Sequence, residues 1–437
     1  MFDLEHDAPA TRPPERIERL GDPEDRPEEN ELSKDRASQD TGAKNSGVST
    51  SGTKSTASGG STAPSDPDTT SAVSSKALPE PADYLAELCN DAQIVLLGDQ
   101  RHVAQHLGFV ASFLPRLHAA GITNFAWEFT NSRAQDNLDA LLAGGSWNQS
   151  LCNDLFVDLM GIGLGYEQYA EVLRSAWKIN QTLREGEKPM RVIALGLPSY
   201  VEDPELLDGR SAGELELRNW WLGGHYRDIT AFHMTNVLTT EVIRAGERAL
   251  VYGDAARTTT AVTEWADGHA VTSLGNLLHR WMGEGVRRVL FHGALNDDTA
   301  LDRIESLIAA APEDAEQFGL DIGRSTLGNV GVPAVKGCIA GEHTEFRLGD
   351  IADGYIFIAP RSQWRPVDLI PDFVAPRNLR EAEQRYRALD PRVEPYTLGE
   401  LEIVRSDGHH DIEAGWPGVP ELPQEEPVVA KKWFRRG

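Results

Sequence analysis

The residues of this chain best suited to acid–base chemistry stand where apolar runs stop. Ile94-Val-Leu-Leu-Gly-Asp-Gln-Arg-His102 reads as a buried strand that ends at a glycine and then presents an acid, an arginine and a histidine. The pattern recurs in Ile122-Thr-Asn-Phe-Ala-Trp-Glu-Phe129, a second apolar run carrying Glu128 near its end. In open α/β sheets the loops beyond the strand C-termini converge on a crevice, so Asp99, His102 and Glu128 are expected at one sheet edge. Two carboxylates and an imidazole placed there can abstract and return protons.

Other groups are expected to join them. His102 and His106 are four apart and would share a helix face. That spacing can bind metal, but the intervening Val, Ala and Gln do not make a HExxH motif, so a structural or supporting role for His106 ranks ahead of ligation. Glu128 is costly to bury unpaired: either an arginine answers it in a structural salt bridge, or it faces the site as a general base. His225-Tyr-Arg-Asp228 opens a helix that continues through His233, with Asp228 as its cap and Arg227 able to clamp Glu128 or a substrate anion. Gly253-Asp-Ala-Ala-Arg257 follows a strand and brings Asp254 and Arg257 to the same edge. His292 qualifies by position at the end of a later strand, against a plainer reading as a satisfied core histidine. The reacting set is therefore His102, Glu128, Asp99, Arg227 and Arg257. The substrate-contacting set is Arg101, His106, His225, Asp254 and His292. A GxSxG elbow, a P-loop and a GxGxxG after the first strand are all missing from the sequence. Gly161-Ile-Gly-Leu-Gly165 follows no strand and reads as a loop of close backbone approach.

The elements that must position these groups alternate. A strand at 94–97 precedes a helix at 103–120, whose Leu107, Val110, Phe113, Leu114 and Leu117 form one stripe. Gly121 stops that helix before the strand 122–127. Strand, helix, strand at this spacing is a βαβ unit and implies parallel pairing. Helices follow at 132–142, 166–184 and 228–245, with strands at 191–196, 248–253, 288–293 and 354–359. The expected fold class is α/β, a mostly parallel central sheet flanked by helices over residues 80–375. Residues 37–76 are largely Ser, Thr, Gly and Ala and cannot bury enough surface to offset their ordering entropy, so 1–79 is expected to be disordered. Residues 376–437 form an extension, helical near 378–388 and then irregular.

The formal charge is −26, of which residues 1–80 supply −7 from 16 acidic and 9 basic side chains. Such a surface repels phosphate backbones and argues against nucleic-acid binding. The N-terminus has no basic start followed by an apolar core. Apolar stretches fall well short of the ~20 residues of a membrane span. Cys89, Cys152 and Cys338 are far apart and unpaired in pattern, as in a reducing cytosol, so a cytoplasmic location is expected. The basic and aromatic end, Lys431-Lys-Trp-Phe-Arg-Arg436, and the N-terminal region are candidate tethers for a protein partner; solvated termini are the plainer reading.

As a set, Gly98-Asp-Gln-Arg-His102, Trp127-Glu128, Tyr226-Arg-Asp-Ile-Thr-Ala-Phe-His-Met234, Leu250-Val-Tyr-Gly253 and the late segments Asp353–Ile358 and Ile370–Phe373 resemble the superfamily of erythromycin esterases, Tiki-type proteases and haem-uptake (ChaN-like) proteins. The resemblance spans most of residues 92–374. Asp99 stands where that superfamily usually has glutamate, and Arg257 occupies the approximate place of its second histidine. In the esterases a histidine and glutamates activate water without metal; in the Tiki-type proteases the motif binds a divalent ion. Loss of the second histidine turns the expectation toward no cofactor, with a divalent metal as the alternative. The resemblance implies a metal-independent hydrolase of an ester, lactone, amide or modified peptide, with elimination or cyclisation in a biosynthetic pathway open to the same groups. His102 would be the base, Asp99 or Glu128 would orient it or protonate the leaving group, and Arg227 and Arg257 would stabilise charge on a carbonyl oxygen. The competing reading is a catalytically degenerate binder of a peptide or haem-like ligand.

Overall fold

The computed structural model describes residues 78–100, 102–157, 163–197, 225–260, 263–264, 270–294, 298–309, 316–332, 346–373, 375–376, 379 and 397–400, without the side chains of 225–228, 263–264 and 270–271. The expected disordered region, and the helix read at 378–388, lie outside those residues apart from a few positions.

Apolar runs bounded by glycine and acid become a seven-stranded sheet. Its strands are β1 (Ile94–Asp99), β2 (Asn124–Asn131), β3 (Arg191–Gly196), β4 (Ala249–Asp254), β7 (Val286–Phe291), β8 (Phe318–Asp321) and β9 (Gly354–Phe357), in the order β3-β2-β4-β1-β7-β9-β8. All neighbours are parallel except β8 against β9. A short antiparallel ribbon pairs β5 (Thr263–Glu264) with β6 (Ala270–Val271).

Helices cover both faces. On one lie α1 (Pro81–Asp91), α2 (Ala104–Ala119), α3 (Gln135–Ala143), α4 (Gln149–Phe156) and α5 (Glu167–Gln181), packed on Val95, Leu97, Phe125, Trp127, Val192 and Tyr252. On the other, α6 (His225–Leu238) and α8 (Leu274–Met282) deliver Met234, Leu238, Leu274 and Leu278 onto Ile94, Leu96, Ala126, Ile193 and Val251. Successive strand residues point to opposite faces, and both faces are buried here, which is why β1 is apolar without alternation. Beyond β7, a smaller core joins β8 and β9 to α9 (Asp298–Ala309) and α10 (Leu348–Ile351). The one-turn helix α7 (Ala255–Thr258) sits over the end of β1. Among the described residues no helix is long and apolar enough to cross a membrane.

Two local devices tie α2 in place. Pro115, inside the helix, has no N–H for the Ala111 carbonyl, and Ser175 Oγ of α5 donates to that carbonyl at 2.6 Å instead. At the far end Gly121 has φ +77°, with Gly121 N–H on the His118 carbonyl and Ile122 N–H on that of Leu117: a Schellman closure, as the sequence implied. The fifth long strand runs two residues earlier than read, at Val286–Phe291, so His292 follows the strand rather than belonging to it.

The chain leaves β1 toward β2 on one side, while β7 takes the other flank and β4 fills the gap. The C-terminal end of β1, between β4 and β7, is therefore the point where strand order reverses, the position at which open α/β sheets place their ligand crevices.

Candidate functional site

β1 and β4 both end in Gly-Asp and pair in register, Gly98 with Gly253 and Asp99 with Asp254. Gly98 is required because α7 lies over it: a Cβ there would overlap Thr258 Oγ1 and come 2.8 Å from Leu290 Cδ2. Gly253 serves Glu128, since a Cβ would stand 2.7 Å from Glu128 Oε2.

Glu128 owes its aim to a break in β2. Pairing with β3 holds from Asn124 to Trp127 and resumes at Asn131 opposite Gly196, so residues 128–130 bulge out of register. Bulges re-aim side chains in this way beside functional crevices. The Glu128 carboxylate takes the backbone N–H of Asp254 at 2.9 Å through Oε2 and lies 3.7 Å from Arg257 Nε through Oε1. The side chains are 9% and 14% exposed, so solvent screens the pair little. Asp254 caps α7, its Oδ1 accepting from Ala256 N at 2.8 Å.

His102 occupies the turn between β1 and α2 with φ +73°, a left-handed conformation that histidine adopts more readily than most side chains. Its ring meets Tyr166 edge-on at 5.3 Å and Tyr169 at 5.8 Å, with Tyr169 Oη 3.4 Å from Nδ1. Val367 N–H donates to its carbonyl at 3.1 Å.

Asp99 and His106 follow another logic. Both are buried, and Asp99 Oδ1 accepts from His106 Nδ1 at 2.5 Å while Oδ2 accepts from Tyr252 Oη. Burial, then the Asp99 charge, pushes the Tyr252 hydroxyl well above the usual tyrosine range, so it stays a donor. His106 stacks on Phe291 at 4.5 Å, and its Nε2 has no hydrogen-bond partner among the described residues. In this arrangement the pair presents almost no surface to a ligand and braces β1 against β4 and α2.

His292 is fully buried in a second network. Nε2 donates to Glu305 Oε1 at 3.0 Å, which fixes Nδ1 as the acceptor from Tyr355 Oη at 2.8 Å. Burial lowers the His292 pKa, against the raising effect of Glu305; Glu305 is lowered by its bond from His292. Arg361 N–H also donates to Glu305 Oε1, at 2.7 Å. The core-histidine reading describes His292 best.

Of the remaining expected residues, Arg101 lies outside the described residues. His225 and Arg227 stand in the first turn of α6 with only their backbone described. The structure thus gathers Glu128, Asp254 and Arg257 into one contact group, places His102 at the adjoining β1 exit, and seals Asp99 with His106. Tyr166, Tyr169 and Tyr252 were not singled out from the sequence. Tyr252 carried a signal, as the residue before the second Gly-Asp; the other two fell only within the helix read at 166–184. Among the described residues no three His, Cys, Asp or Glu side chains group so as to hold a metal ion.

No family model and no curated protein matches the chain. Solved structures to which it is similar include a succinoglycan biosynthesis protein (12% identity, 65% of this chain and 91% of that one, TM-score 0.45). They also include an erythromycin esterase EreC mutant in its open conformation (12% identity, 66% and 95%, TM-score 0.44). A third is ChaN of Campylobacter jejuni with cofacially bound haem (13% identity, 48% and 84%, TM-score 0.25). These proteins include two of the three groups that the sequence resembles. At such identities and scores, the roles of residues rest on this chain's own geometry.

Proposed function

We propose that this protein is a metal-independent acid–base hydrolase of an ester, lactone, amide or modified peptide. The observation that carries the reading is the placement of Glu128: bulged out of β2, held on the Asp254 N–H, and faced by Arg257 at the C-terminal edge of the sheet. His102, at the exit of β1, is the general base that draws a proton from water. Glu128 orients it, or accepts that proton from the imidazolium and passes it to the leaving group, a part that Asp99 is poorly placed to share because His106 and Tyr252 occupy both its oxygens. Arg257 supplies positive charge for the carbonyl oxygen as it becomes negative, with Arg227 as its partner from α6. Support for a metal-free mechanism comes from Glu128, whose charge is answered by Arg257 rather than left for a cation. The same proton abstraction would begin an elimination or a cyclisation.

The test is a panel of small esters, lactones and peptides offered to the full chain with chelator and with added divalent ions. Turnover that survives chelation and is lost in His102→Ala and Glu128→Gln supports the reading; full turnover in His102→Ala defeats it.

A second reading, ligand binding without turnover, draws on the two tyrosine rings that wall His102, since aromatic walls around an imidazole suit a planar ligand. Titration with haemin, followed by a Soret band that disappears in His102→Ala, would support it.

A further inference from the structure

The helices that flank His102 begin in the same unusual way. α2 starts just after it, at Ala104, and α5 starts just after Tyr166, whose ring touches the His102 imidazole. Neither N-cap, Val103 nor Tyr166, makes a side-chain capping bond, so the first amides of both helices need partners from elsewhere. One segment, residues 363–373, supplies them at both places.

The match is residue by residue. At α2, Ala104 N–H donates to the Arg365 carbonyl at 2.9 Å, and the second helical residue, Gln105, accepts from Arg365 N–H at 3.0 Å through Oε1. At α5, Glu167 N–H donates to the Asp368 carbonyl at 2.8 Å, and the second helical residue, Gln168, accepts from Asp368 N–H at 2.7 Å. Each glutamine then uses its Nε2 on the same segment: Gln105 on the Gln363 carbonyl at 2.5 Å, Gln168 on Asp368 Oδ2 at 2.6 Å. The two docking points are three residues apart, and every third side chain of the segment, Trp364, Val367, Ile370 and Phe373, is buried. Phe373 closes on Gly165, where a Cβ would stand 2.6 Å from its ring. Between the docking points Val367 N–H donates to the His102 carbonyl. The segment is a strap that caps two helices and grips the backbone of the histidine between them.

We propose that Gln105 and Gln168 are positioning residues for His102, acting through this strap, which sets the imidazole against Tyr166 and Tyr169. The role in turnover rests on the hydrolase reading above; the positioning itself does not. A side chain held at φ +73° reverts to commoner backbone angles unless its surroundings over-determine it, and the strap is the element that bonds its carbonyl.

The experiment compares Gln105→Ala, Gln168→Ala, the double variant, Gln105→Glu and Gln168→Glu with the unaltered full chain. The readouts are His102 ring resonances in long-range ¹H–¹⁵N spectra and the rate of His102 carbethoxylation mapped by mass spectrometry. In the double variant the ring resonances shift and the modification rate changes by about tenfold, the scale that loss of about one net hydrogen bond predicts. Circular dichroism keeps its helical signal. Gln105→Glu retains the acceptor for Arg365 N–H and restores much of the native spectrum, whereas Gln168→Glu sets a carboxylate against Asp368 and does not. Unchanged resonances and modification rate in a folded double variant overturn the proposal. If these readouts move while turnover on an identified substrate does not, positioning stands and the hydrolase role of His102 falls.

Discussion

Replacing Asp99 by alanine removes the acceptor of two buried donors at once, the His106 Nδ1–H and the Tyr252 hydroxyl. All three residues are almost wholly buried, so water cannot take over either bond. An unsatisfied buried donor costs ~1–3 kcal/mol, and two are stranded at once. The expected loss for Asp99→Ala is therefore about 4 kcal/mol, or a drop of about 1–2 M in urea midpoint at a slope of ~3 kcal/mol/M. The control replaces all three partners with apolar groups of similar volume, Asp99→Leu, His106→Leu and Tyr252→Phe together. Because no donor is then stranded, that variant should lie closer to the native protein than the single alanine does. Urea unfolding of the full chain followed by tryptophan fluorescence measures both. A cost below about 0.5 kcal/mol for Asp99→Ala, the scale of an ordinary surface change, would refute the view of Asp99 as a brace. So would a stable Asp99→Asn variant that has lost turnover, because the carboxylate would then be acting on substrate.

The remaining expectations are briefer. Gly253→Ala places a Cβ 2.7 Å from Glu128 Oε2 and should displace the carboxylate from the Asp254 amide; a shift near 1 Å predicts a loss of about 100-fold in kcat/KM on whichever substrate the panel identifies, with the fold retained. Burial holds the His292 pKa below its ordinary 6.5, so the unfolded chain binds the proton first, and stability is complete above 6.5 and declines as pH falls toward the folded value. His292→Phe should flatten that limb in chemical denaturation between pH 7 and 5, and an unaltered limb would count against the neutral buried imidazole. Cys89 and Cys152 thiols are pushed up to about 12 by burial, so iodoacetamide at pH 8 should leave both unlabelled until the chain is unfolded. Ser175→Ala strands the Ala111 carbonyl that Pro115 leaves open, at a cost of ~1–3 kcal/mol in the same urea assay.

The strands that build the crevice were legible because their signal is local. Ile94–Leu97 and Arg191–Gly196 are apolar runs with a glycine at or just past the end, and both faces of the sheet need apolar side chains, so the run itself is diagnostic. The Gly121 stop was legible for the same reason, since one residue type satisfies a left-handed φ cheaply. β8 was not, because Phe318–Asp321 is short and gains its strand character only by pairing antiparallel with β9 at the sheet edge. For the site, sequence position found Glu128, Asp254 and Arg257 together, because strand-end register brings them together. It ranked His102 ahead of His106 for chemistry but gave no sign that His106 turns inward onto Asp99. Which of two histidines four apart turns inward depends on Phe291 and Tyr252, contributed by distant strands.

The two Gly-Asp strand ends show why identity of motif does not carry identity of role. Asp99 and Asp254 are register partners on adjacent parallel strands and arrive at the same height in the sheet. β1 is central, with β4 and β7 on either side, and the helix that follows it turns back so that His106 lies over Asp99; the acid is enclosed before it can reach solvent. β4 is followed at once by the one-turn α7, so its acid is spent on capping, while the amide of Asp254 is left to point at Glu128. In the proposed function the acting carboxylate is thus contributed by neither Gly-Asp pair but by the bulged strand beside them. A Gly-Asp-x-x-His pattern should accordingly be read for the helix that follows it. An imidazole seven residues after the acid, on a helix packed over the strand end, takes the carboxylate for the core, and in the proposed function the histidine left in the intervening turn is the one that meets substrate.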